Sequence, residues 1–165
     1  KVVILTPHMT EKNDDSSVIA EVEAEEKKID FSIDIAGDIP DTLLGDSSHI
    51  ALILKHLCSN AVKFTKKGKI SVKCSVLAKD EKVMQLEFVV KDTGIGIEDN
   101  KLEHLFEPFN QADDSDKRQF GGAGLGLTIS RHMINILGGT LDIKSTPGKG
   151  TTCTFILPMQ IPPED

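Results

Sequence analysis

The sequence contains no tryptophan and no tyrosine, and its seven phenylalanines leave aromatic residues at 4%. That excludes a stacking platform for single-stranded nucleic acid, which needs several aromatic faces. Cysteine is scarce as well. Cys58, Cys74 and Cys153 are odd in number and far apart, with no C-x-x-C pair, so neither a disulfide framework nor a zinc site is expected. They read as small core hydrophobes of a reducing, cytoplasmic protein. No apolar run approaches the roughly 20 residues of a membrane span, so no direct membrane contact is expected. Positive charge is in deficit, 19 Lys and Arg against 26 Asp and Glu, for a net charge of −7. Such a chain repels a polyphosphate backbone, which argues against nucleic acid as a partner. Any phosphate site must be built locally. An initiating methionine and a secretion leader are also missing, so the chain reads as a piece of something longer.

What remains is a globular composition, 39% hydrophobic and 27% charged over 165 residues, the size of one domain with one core. The expected domain spans residues 1–165, with 157–165 a frayed tail. Strands are expected at Val2–Leu5, Ile29–Ile35, Lys69–Leu77, Met84–Asp92, Thr140–Ser145 and Thr151–Leu157 from apolar runs and period-two alternation. Helical periodicity covers Glu11–Lys28, Ser48–Phe64 and Leu125–Leu137, with a short helix around Asn100–Leu105. Short turns join two of the strand pairs as hairpins, while other strands are separated by helices. The fold class is therefore an α/β two-layer sandwich, with a mixed, mostly antiparallel sheet and about three helices on one face.

Four segments carry candidate chemistry. On the helix Ser48–Phe64, a 100° rotation per residue gathers His56, Ser59, Asn60 and Lys63 on a narrow stripe opposite the apolar face. A solvated helix face would look the same, yet an amide oxygen ligates hard cations and a lysine offers phosphate a point charge. Asp92-Thr93-Gly94-Ile95-Gly96 closes an apolar strand. An acid there accepts a hydrogen bond from an exocyclic amine, and the glycines would let a planar ring approach the backbone; a plain turn is the competing reading. Gly121 to Leu127 precedes a helix start with four glycines, and its free N–H groups suit an anion. It matches neither the P-loop nor the dinucleotide-binding pattern. Thr146 to Thr152 is a hairpin turn by composition.

In this order the segments resemble the ATP-binding catalytic domain of sensor histidine kinases, in the superfamily that includes type II topoisomerases, heat-shock-chaperone ATPases and mismatch-repair ATPases (the Bergerat-type fold). Ser59-Asn60-Ala61-Val62-Lys63-Phe64-Thr65 looks like the family's N box and Asp92 to Ile97 like its first glycine box. Leu105-Phe106-Glu107-Pro108-Phe109 is similar to the F box. Gly122-Ala123-Gly124-Leu125-Gly126-Leu127 resembles the second glycine box, and Gly148-Lys149-Gly150-Thr151 the third. The spelling is nearest to hybrid-type kinases.

The resemblance implies ATP and Mg²⁺ as cofactors. Asn60 would ligate the metal, Lys63 would touch phosphate, Phe64 would pack on adenine and Asp92 would bind its amino group. Gly94, Gly96 and Thr151 would line the base pocket. Gly122, Gly124, Leu125 and Gly126 would sit against the phosphates, and Arg118 would reach them from a mobile lid over Asn110–Gly122. His56 stands where relatives carry an earlier asparagine, and Ala123 where many carry threonine. No phosphoacceptor histidine motif is present, so the implied partners are an upstream dimerisation and phosphoacceptor helical domain and a receiver domain. The implied location is the cytoplasm, including the cytosolic part of a membrane-bound receptor. The alternative is a degenerate, non-catalytic nucleotide-binding regulatory module.

Overall fold

The computed structural model describes residues 2–3, 29–40, 43–98 and 123–163. The expected helices at 11–28 and 100–105 and the lid at 110–122 lie outside them. In chain order the elements are β1 (Val2–Val3), β2 (Asp30–Ile35), β3 (Leu43–Leu44), α1 (Ser47–Phe64), β4 (Lys69–Lys79), β5 (Val83–Asp92), α2 (Ala123–Ile136), β6 (Thr140–Thr146) and β7 (Gly150–Gln160).

The strands form one seven-stranded sheet in the order β1-β3-β7-β5-β4-β2, with β6 pairing along β7. Among the described residues, β2 and β4 run parallel and the other pairs are antiparallel. This is the mixed, mostly antiparallel sheet that the hairpin spacing implies. One face is apolar. Along β5, Met84, Leu86, Phe88, Val90 and Asp92 are buried while their neighbours are not, the period-two signature of a sheet covered on one side. Phe88 and Phe155, opposite each other on β5 and β7, stack with ring centroids 4.6 Å apart.

Helix α1 begins where Asp46 accepts a hydrogen bond from the His49 N–H, satisfying one of the donors that a helix start leaves open. Ile50, Ile53, Leu57 and Ala61 recur at helical spacing and bury against the sheet and α2, so the apolar face expected from sequence is the packed one. All three cysteines are buried, and burial pushes each thiol up to about 12, as inert core residues require.

The structure departs from expectation at the C-terminus and in one short strand. The C-terminal segment is not frayed from residue 157: β7 continues to Gln160, Met159 is 2% exposed and pairs with Met84, and the Ile161 N–H donates to the Lys82 carbonyl at 2.8 Å. Proline is tolerated in that strand, where among the described residues the other neighbour of β7 is the two-residue β3, meeting it at Gln160. The short strand β3 has no periodicity to announce it, being two residues held by pairing alone.

Candidate functional site

Sheet register builds the floor of the site. Ile70 of β4 lies opposite Asp92 of β5, Asp92 opposite Thr151 of β7, and Thr151 opposite Ser145 of β6. One row across four strands thus ends the apolar face in three polar side chains. Asp92 Oδ1 accepts from the Gly94 N–H at 2.9 Å and the Thr151 N–H at 3.2 Å. Both hydrogen bonds use the same oxygen, so among the described residues Oδ2 is left for another donor. Burial holds the Asp92 carboxyl above the usual range, against the pull of those two N–H groups.

Helix α1 supplies one wall. Asn60 shares a pocket with Phe64, Leu57 and Ala61 from the same helix, Asp92, Thr151 and Cys153 from the floor, and Ile97, Leu127 and Ile143 from the remaining sides. The space is about 30 Å³, room for a water or two, so the walls must part to admit a ring. Asn60 Nδ2 is buried there with no hydrogen-bond partner among the described residues. A buried amide left open is costly and calls for a ligand group or water. The amide turns over by exchanging its oxygen and nitrogen, so this spot offers either a donor or a hard oxygen ligand.

His56, Ser59 and Lys63 are half-buried on the same helix as Asn60, and of these four stripe residues Asn60 is the one that lines the pocket. Burial first, then the charges of Lys55 and Lys63, hold the His56 imidazole below its ordinary 6.5.

The loop after Asp92 explains its glycines in a different way from the sequence reading. The Ile95 N–H donates to the Phe64 carbonyl at the end of α1, and the Gly148 N–H donates to the Ile95 carbonyl. The loop is clamped between the helix end and the β6–β7 turn. A Cβ on Gly94 would meet the Phe64 carbonyl oxygen at 2.2 Å, and one on Gly96, whose φ is +72°, would meet that of Thr146 at 2.2 Å. Neither glycine lines the pocket. Their smallness serves backbone packing that seats Phe64 and Ile97.

The structure therefore brings together Asn60, Phe64, Asp92 and Thr151, with His56 and Lys63 alongside. Gly124, Leu125 and Gly126 fall within the first turn of α2, which starts at Ala123, two residues earlier than periodicity alone places it. Arg118 and Gly122 lie outside the described residues. Sequence reasoning gave no role to Ile97, Leu127, Ile143 or Ser145. Ile143 and Ser145 stand two apart on an alternating strand, which signals a shared inward face; their nearness to Asp92 follows only from register.

Residues 45–161 match the family described as histidine kinase-, DNA gyrase B-, and HSP90-like ATPase. The chain belongs to that family, as an ATP-binding catalytic domain of the sensor histidine kinase type. It is 36% identical over 138 residues to the signal transduction histidine-protein kinase BarA of Escherichia coli K12, covering 84% of this chain and 15% of that protein. It is 39% identical over 137 residues to the sensor histidine kinase GacS of Pseudomonas protegens, covering 83% of this chain and 15% of that one. Full-length ShkA, solved in complex with AMPPNP, superposes with a TM-score of 0.76 at 27% identity, over 99% of this chain and 32% of that one. The chain thus spans about 15% of the length of these curated relatives. Among the described residues no helix is long and apolar enough to cross a membrane.

Proposed function

We propose that this domain binds Mg-ATP and delivers the γ-phosphoryl group to a histidine of a helical dimerisation domain outside this chain, in two-component signalling. The observation that carries the reading is the pairing of a buried acceptor, Asp92, with an orphaned amide, Asn60, across one pocket. An adenine amino group donates to Asp92 Oδ2, and the apolar walls take the ring. The half-buried Lys63 one turn beyond Asn60 lies toward the phosphates, where its charge offsets theirs.

Mg²⁺ fits what is present. Among the described residues no cluster of three or more His, Cys, Asp or Glu forms a protein cage for a metal; Mg²⁺ takes few protein ligands and shares the rest of its shell between phosphate and water. The Asn60 oxygen would hold it, and the ion would offset phosphate charge. His56, neutral at pH 7, donates a hydrogen bond toward phosphate and adds no ligand of the hard kind the metal prefers.

In the transfer, the bond from the γ-phosphorus to the ADP oxygen breaks as one forms to an imidazole nitrogen. Positioning and charge supply most of the rate. The site residues provide both, and the nucleophile comes from elsewhere. The receiver domain would then accept the phosphoryl group, and the setting is cytoplasmic.

The test is to express the domain joined to its phosphoacceptor helices and follow labelled γ-phosphate. Label on histidine, acid-labile and base-stable, is the expected result. ATP binding that is indifferent to Mg²⁺, with no transfer, would favour the regulatory module.

A further inference from the structure

We infer that Ser145 is a specificity-determining positioning residue: its hydroxyl fixes the direction of the Thr151 hydroxyl, so that the pocket floor presents acceptors only and selects a purine with an amine, not a carbonyl, at its six-position.

The argument rests on counting protons. Ser145 Oγ makes three contacts. It accepts from the Ile97 N–H at 2.7 Å, reaches the Gly150 carbonyl at 3.0 Å, and lies 2.8 Å from Thr151 Oγ1. A hydroxyl has one proton and two lone pairs. The carbonyl can only accept, so it takes the Ser145 proton; the Ile97 N–H takes one lone pair. The remaining lone pair faces Thr151. Only one arrangement makes all three contacts hydrogen bonds, and in it Thr151 donates to Ser145. The Thr151 proton is then committed away from the pocket, and Oγ1 shows the pocket lone pairs.

Beside it stands Asp92 Oδ2, with no donor among the described residues. The floor is therefore two adjacent acceptors, fixed by a network reaching from β5 to β6. A base with an exocyclic amine has two protons to offer, directly or through a water. One with a carbonyl at that edge sets acceptor against acceptor. Sites built this way reject the wrong partner strongly, because their buried groups are left unpaired. Without Ser145, the Thr151 hydroxyl turns freely and can donate to a carbonyl, which relaxes the choice. Ser145 also ties Ile97, a pocket wall, to the β6–β7 turn, so one atom sets both wall position and floor polarity.

This inference rests on the adenine reading of the same pocket, and the experiment separates the two. Affinities of the 165-residue chain for ATP and GTP are measured by calorimetry in the parent, Ser145→Ala, Ser145→Thr, Thr151→Val and the Ser145→Ala/Thr151→Val double variant. The parent should prefer ATP. Ser145→Ala should lower the ATP-to-GTP ratio by about tenfold, the worth of one hydrogen bond, while Ser145→Thr, which keeps a hydroxyl, restores it. In the Thr151→Val background, where no hydroxyl remains to be oriented, Ser145→Ala should leave the ratio unchanged, which a merely structural loss would not. If Ser145→Ala fails to fold, Ser145→Val against Ser145→Thr makes the same comparison at equal shape. A ratio unchanged in Ser145→Ala, or in Ser145→Val relative to Ser145→Thr, overturns the inference with the adenine reading intact. A parent without preference for ATP overturns the adenine reading, and this inference falls with it.

Discussion

Asp92 Oδ1 accepts the Thr151 N–H at 3.2 Å across 59 residues of sequence, and the same oxygen takes the Gly94 N–H. One oxygen thus holds two strands and a loop together, while the other takes no donor among the described residues. Asp92→Asn preserves the structural half, because an amide oxygen accepts the same two N–H groups, and reverses the ligand half by placing an NH₂ where an acceptor was. The burial-raised Asp92 carboxyl contributes stability that is present at low pH and lost as pH rises above its ordinary 3.8. The variant should therefore melt no lower than the parent at pH 7, yet lose about 1–3 kcal/mol of ATP affinity. Melting curves and calorimetry on one preparation check both, and retained ATP affinity would remove Asp92 from base recognition.

Asn60→Ala should abolish the Mg²⁺-dependent part of ATP binding without unfolding the domain. Nδ2 has no partner among the described residues to lose, so truncation there leaves no partner of Nδ2 unsatisfied in the free protein. ATP titrations with Mg²⁺ and with a chelator should give equal affinities in the variant. A persisting difference would place the metal elsewhere.

Gly94→Ala and Gly96→Ala should each destabilise by about 1–3 kcal/mol, as backbone clashes do, since each new Cβ meets a carbonyl oxygen at 2.2 Å. ATP affinity should fall with stability, because the displaced loop carries Ile97 and seats Phe64. Denaturant midpoints read the first effect. Weakened binding at unchanged stability would instead indicate that the glycines touch the base.

His56 sets the acid limb. Its pKa lies below 6.5 in the fold, so the unfolded chain takes up a proton near that pH that the folded one refuses. Stability should fall as pH drops below about 6.5, and His56→Asn should flatten that fall. Bound phosphate opposes the repulsion from Lys55 and Lys63 and favours imidazolium, so ATP affinity should rise over the same descent. An affinity that does not change with pH in the parent would make His56 a bystander.

Met159→Ala should cost about 2–5 kcal/mol, since Met159 is 2% exposed on the far end of β7. An effect below 0.5 kcal/mol, the size of a surface change, would restore the frayed tail expected at 157–165.

Much of this protein is legible in the chain itself. Alternation in Ile29 to Ile35 and Met84 to Asp92, the cap at Asp46 and the helical spacing of Ile50, Ile53, Leu57 and Ala61 are local patterns, and burying one face of each leaves few arrangements. The resemblance of the boxes holding Asn60, Asp92 and Thr151 to those of the histidine kinase family names their candidate roles. Tertiary structure alone decided three things. It extended β7 past Pro158, because a strand persists wherever a neighbour supplies hydrogen bonds. It turned Gly94 and Gly96 into packing positions, because their neighbours, Phe64 and Thr146, are distant in sequence. And it placed Ser145 beside Thr151 and Asp92, because register between strands is set by the pairing of whole faces, which no single segment encodes.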